Sequence, residues 1–196
     1  MKLQDRLPER VTVNGKAYRV DLDFRNVLRM MEVMARDDLI PGARDYLALK
    51  CVMKHPPKDT GAVLGALRLM LFPAHKGEPG KRLTSFEQDA DLIRAAFRQA
   101  YGINLYRDRL HWMEFQTLLA ALPEGSRYSE VLGIRSREMP AATKYNQAER
   151  EWLAKAKAAC ALEMSDDDRQ RAYAEGVKSI FAGLLAWAEG SDNKYG

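Results

Sequence analysis

Cys51 and His55 stand four residues apart, a spacing that would put a thiol and an imidazole on one side of a helix and let them share a metal ion. A structural zinc site wants four ligands, commonly paired along the chain, and neither His75 nor His111 has a partner at such a spacing. The pair therefore reads as an ordinary buried thiol beside an exposed histidine. Glu87, Asp89 and Asp91 form a second group, with Glu87 and Asp91 on one helical face. Paired carboxylates can divide acid and base work, but these fall in the first turns of a helix, where negative charge complements the helix dipole. His111 precedes Trp112 at the head of an apolar run and has the setting of a general base. No glycine-framed Ser or activated Cys is there for it to serve, so it reads as a capping or packing residue. Gly61, Gly65, Gly77 and Gly80, the last just before Lys81, match neither a P-loop nor a GxGxxG turn. No catalytic, cofactor or metal residue is assigned, and the chain reads as a binding protein, not an enzyme.

One excess points toward partners. The chain has nine methionines, and Met30, Met31 and Met34 fall within five residues of one helix. Flexible thioethers fill irregular core gaps, and they also suit surfaces that accept variable apolar helices. Interrupted by Arg29, Glu32 and Arg36, these three are the candidate partner-binding residues. Such close spacing suggests that they cannot all face one core, and that at least one turns to a second layer or to solvent.

The elements that would position these residues are almost all helical. Val11, Val13, Tyr18 and Val20 flank Asn14-Gly15, the preferred two-residue type I′ turn, which predicts one short β-hairpin leaning on the helix that follows. That helix starts near Asp23 and carries Phe24, Val27, Leu28, Met31 and Met34 at helical spacing. After Ile40-Pro41-Gly42, helices are expected from about 43 to 54 and from about 60 to 72, the latter apolar almost all round and so central. Residues 73–83, with two Gly and two Pro, read as a mobile loop. Thr84 and Ser85, followed by Glu87 and Gln88, have the pattern of a capping box. Phe86, Ile93 and Phe97 then form a stripe closed by Gly102, and Trp112, Phe115 and Leu119 form the next; these six are the expected centre of the core. A short helix at about 128–132 and a semi-exposed one at about 147–162, patterned on Trp152, Ala156 and Ala159, follow. A last helix should begin at Ser165, with its stripe running from Tyr173 to Ala188 and a frayed GSDNKYG tail. The reading is a mainly α, bundle-like domain with an N-terminal hairpin over 1–162 and a helical extension over 163–196.

Composition agrees with a globular chain. Of 196 residues 46% are apolar and 30% charged, enough to bury a core without disulfides, and two cysteines suit a reducing compartment. The longest uncharged stretch, Ser179 to Ala188, is ten residues, too short to span a bilayer. No secretory signal is recognisable, which places the protein in the cytoplasm where it is made. The net charge is +4, with 16 Lys and Arg against 10 Asp and Glu in residues 1–83. Those cations are interspersed with acids and never run beyond Lys81-Arg82, so nucleic acid is a disfavoured partner.

The hairpin with its Asp23-Phe24-Arg25 exit, Phe86-Glu87-Gln88-Asp89-Ala90-Asp91, Tyr101-Gly102-Ile103, Leu110-His111-Trp112 and Leu122-Pro123 together resemble the bacteriophage "gene product fifteen" family, encoded among the tail genes of long-tailed phages. The resemblance runs to about Leu162. Family members more often carry an aromatic where Met113 stands, and the chain after Ser165 extends beyond the family core. The resemblance implies a tail assembly chaperone in the cytoplasm of a bacterial host, acting between tail proteins and a tape-measure protein, with no catalytic residue to carry over. Helix-in-groove contacts would be its means. A homo-oligomer stays open. The alternatives are a structural tail or tail-tip component, and a DNA-binding regulator.

Overall fold

The computed structural model describes residues 2, 4–72 and 82–163. The expected loop at 73–83, apart from its last two residues, lies outside the described residues. So do the helix start at Ser165, the stripe from Tyr173 to Ala188 and the GSDNKYG tail.

Among the described residues the chain forms one hairpin and seven helices, a mainly α fold as expected. Strands β1 (Arg10–Val13) and β2 (Lys16–Arg19) pair antiparallel, with Val11 opposite Tyr18. Asn14 and Gly15 between them have φ of 51° and 74°, the double positive φ of a type I′ turn. Val11 and Val20 are buried. Two strands alone would be marginal in water. Their support is β1 packing on α3 (Thr60–Leu71), whereas the sequence pointed to the helix after Asp23.

That helix, α1 (Phe24–Met34), is capped by the Asp23 carboxylate, which accepts the Arg25 N–H at 3.1 Å. Helix α2 (Pro41–Val52) has Pro41 in its first turn, where a missing N–H costs nothing, and packs along α1. Because α2 ends at Val52, His55 lies beyond it and the Cys51–His55 helical face does not form. Helix α3 is not enclosed on all sides: Val63, Leu64, Leu67 and Leu71 are buried, but Leu69 is 75% exposed.

Helix α4 (Ala90–Tyr101) begins later than its capping-box signal. Residues 86–89 form turns, in which the Ser85 hydroxyl accepts the Gln88 N–H at 3.3 Å. The Gln88 side chain does not return the bond; it clasps the backbone of Glu163 instead. Gly102, with φ of 70°, closes α4 in the left-handed region. Helices α5 (Trp112–Ala120), α6 (Arg127–Ser136) and α7 (Gln147–Cys160) complete the fold. Helix α6 runs several residues past the expected 132. On α7 the inward residue is Leu153, not Trp152, which is 55% exposed.

The core centre is aromatic. Phe115 stacks on Phe24 at 4.8 Å and on Phe97 at 5.2 Å, with Trp112 at 5.7 Å. Ile93, Phe97, Trp112 and Phe115 are buried, while Phe86 and Leu119 pack against this cluster from its edge. Helix α5 touches both α1 and α4 and so joins the two halves of the chain. A backbone bridge reinforces the join: Phe24 N–H donates to Leu110 O at 2.9 Å, and Trp112 N–H to Leu22 O at 2.8 Å.

Candidate functional site

A groove of about 310 Å³ opens between α1, α4 and the segment before α5. Its floor is Phe24, Leu28, Phe86, Ile93, Leu105 and Phe115. Arg25, Leu28, Arg29 and Glu32 line it at the i, i+3, i+4, i+7 spacing of a single helical face. The far wall comes from Ala90, Ile93 and Arg94 of α4.

Three guanidiniums shape the rim. Arg25 grips both oxygens of Asp23, at 2.9 and 3.0 Å, and donates to the carbonyls of Tyr106 and Asp108. It thus ties the 104–108 turn to α1. That turn is held from inside, since Asn104 N–H donates to the Asp108 carboxylate at 2.7 Å and Tyr106 N–H to the Asn104 side chain at 3.1 Å. Tyr106 projects from it, 67% exposed, with the Arg94 guanidinium 4.6 Å from its ring centroid. Arg29 is exposed and donates to its own-helix neighbour Asn26 at 3.4 Å. Burial would push the Asp23 carboxyl up, but the bonds from Arg25 and the nearby Arg109 charge outweigh it and hold the pKa below its ordinary value. An apolar floor with an exposed aromatic and a cationic rim can seat an amphipathic helix.

A second cavity, about 630 Å³, lies beneath the hairpin and is lined by both apolar and charged side chains. Among its charged groups Arg109 bonds both oxygens of Asp21 at 2.8 and 2.9 Å. His111 caps α5, its Nδ1 accepting the Met113 N–H at 3.2 Å while Nε2 faces the Pro8 carbonyl at 3.1 Å. A carbonyl only accepts, so Nε2 carries the hydrogen. The imidazole serves as a cap on one side and a tether on the other.

The three methionines are placed otherwise than their spacing suggested. Met30 is fully buried; Met31 and Met34 are half-buried and packed against the core cluster. At about 100° per residue the three span an arc of only about 100°, because Met30 and Met34 are one turn apart. All three therefore turn to the core, and none lines the groove. The groove uses the other side of the same helix, where half-buried Leu28 stands among Arg25, Arg29 and Glu32. Cys51 is half-buried, and burial pushes its thiol up.

Asp89 is also more than a dipole partner. It is 1% exposed and meets Arg135 of α6, while Thr84, Ser85 N–H and Tyr128 complete the network. Arg135 also donates to Cys160 O at 2.6 Å and Leu83 O at 2.9 Å, so one side chain gathers α4, α6 and the end of α7. No local pattern in the sequence signals this pair. Glu87 and Asp91 stay exposed.

Among the described residues no helix is long and apolar enough to cross a membrane. The profile of a family described as Bacteriophage Gp15 protein matches residues 3–71 and 72–162. No curated protein and no solved structure matches the chain.

Proposed function

The chain belongs to the Bacteriophage Gp15 protein family, and from that premise we propose that this phage protein is a tail assembly chaperone that binds the tape-measure protein. The observation that carries the reading is the groove between α1 and α4, where half-buried Leu28 and Phe86 lie over buried Phe24 and Ile93 beside the exposed Tyr106. A long helical client would lay one apolar stripe there, with i, i+3, i+4 and i+7 side chains as anchors. The shallow site, about 310 Å³, suits affinity modest enough for release when tail subunits polymerise. The work is non-covalent and takes place in the host cytoplasm.

Co-expression with the tape-measure protein tests the reading. The wild-type chain should co-purify with it, and Leu28→Glu should retain its circular dichroism spectrum while losing the client. Normal co-purification of the folded variant would remove the groove from the mechanism. Recovery of the protein as a stoichiometric component of purified virions would favour a structural tail role instead.

A further inference from the structure

The hairpin carries a like-charge contact on its outer face. In the register of β1 and β2, Arg10 stands directly opposite Arg19, and Thr12 opposite Ala17. Val20 N–H donates to Glu9 O at 2.9 Å, so Arg10 and Arg19 fall at the next, non-hydrogen-bonded pair of the ladder, where Cα atoms approach to about 4.5 Å. Side chains alternate between faces: Val11, Val13 and Tyr18 join the core, while Arg10, Thr12, Ala17 and Arg19 are all exposed. Like charges directly opposite each other cost a sheet stability. Neither guanidinium has a hydrogen-bond or ion-pair partner among the described residues. Glu9 shares the inner face with Val20, and Asp21, two residues beyond Arg19, is held at both oxygens by Arg109 at 2.8 and 2.9 Å. Two uncompensated cations kept side by side break a local rule of sheet stability, as sites held for a partner do.

We propose that the outer face of the hairpin is a docking site for an acidic segment of a partner protein, whose carboxylates Arg10 and Arg19 grip together. A guanidinium fork matches a carboxylate at two points, so neighbouring forks suit neighbouring Asp or Glu side chains. Docking replaces the repulsion between the guanidiniums with attraction to the carboxylates, a gain that separate surface arginines do not offer. A nucleic-acid backbone needs a longer track of cations, and this face continues into Thr12 and Ala17 instead. The hairpin contributes no residue to the groove between α1 and α4, so the two surfaces are tested separately.

The test titrates the full chain into a fluorescent peptide of alternating Glu and Ser, with its Gln-for-Glu counterpart as the blank, and reads anisotropy. The wild-type chain should bind the acidic peptide alone, and less tightly as salt rises. Arg10→Gln with Arg19→Gln should weaken binding about tenfold. Arg137→Gln with Lys155→Gln, at exposed positions elsewhere, removes the same net charge and should leave binding unchanged. The Arg10, Arg19 double variant should also melt no lower than wild type, because a like-charge contact is gone. Equal losses from both double variants would reduce the effect to net charge and overturn the docking site, as would a wild-type chain that ignores the acidic peptide. Tighter binding of mixed-sequence duplex DNA, dependent on the same two arginines, would overturn it too and assign the face to nucleic acid.

Discussion

Asp89 and Arg135, 46 positions apart, meet in a two-point ion pair with both N–O distances at 2.8 Å and side-chain exposures of 2% and 10%. The pair joins the head of α4 to α6, and Arg135 also holds the carbonyls of Leu83 and Cys160. Removing one partner strands the other charge out of water. Asp89→Ala and Arg135→Ala should each destabilise by about 3–5 kcal/mol in urea titration. Losses under about 1 kcal/mol would show that the pair is idle.

The same pair sets an acid limit. Burial alone would raise the Asp89 carboxyl, but the hydrogen bonds from Arg135, Ser85 N–H and Thr84 outweigh it and hold the folded pKa below the ordinary 3.8; Asp23 is lowered in the same sense by Arg25. A depressed folded pKa adds stability that is complete above the ordinary value and is lost as pH falls through the folded one. Urea midpoints should therefore be flat from these two groups above about pH 5 and decline below pH 4. Asp89→Asn should flatten that acid-side decline, and an unaltered slope would assign it to other carboxylates.

Two glycines should respond oppositely to a side chain, for backbone reasons alone. At both Gly15 and Gly133 the position a Cβ would take has no neighbouring atom within 4 Å, so space is no obstacle at either. Gly15 sits at φ 74°, where Gly15→Val should cost about 1–2 kcal/mol or more and lower the melting temperature. Gly133 lies inside α6, and Gly133→Ala should raise stability by about 0.5–1 kcal/mol. A melting temperature unchanged by Gly15→Val would contradict the observed turn.

The core and its margin should separate cleanly. Phe97, fully buried and stacked on Phe115, should cost about 3–5 kcal/mol as Phe97→Ala. Met30→Glu would bury a carboxylate without a partner and should unfold the protein, while Met34→Glu, at a half-buried position, should leave a folded, weakened one. Circular dichroism of the two variants decides this; a folded Met30→Glu protein would place that side chain outside the core.

Periodicity alone was enough to identify the mainly helical fold, because each helix here carries its own apolar repeat and local stops: Asn14-Gly15 makes the hairpin, Asp23 caps α1, and Gly102 ends α4. The aromatic stripe of Phe97, Trp112 and Phe115 was legible for the same reason, and the Tyr101-Gly102 and His111-Trp112 neighbourhoods carried the family likeness. Tertiary structure decided which apolar face meets which neighbour. Leu28 and Met31 both belong to the apolar repeat of α1 and both pack against the core cluster, yet of the two Leu28 alone also lines the groove. Nothing in their spacing distinguishes them, since the choice depends on where α2 and α4 lie. The Asp89–Arg135 pair was hidden for a related reason: a carboxylate in a first turn has a sufficient local explanation in the helix dipole, and its distant partner appears only when α6 is folded back onto α4.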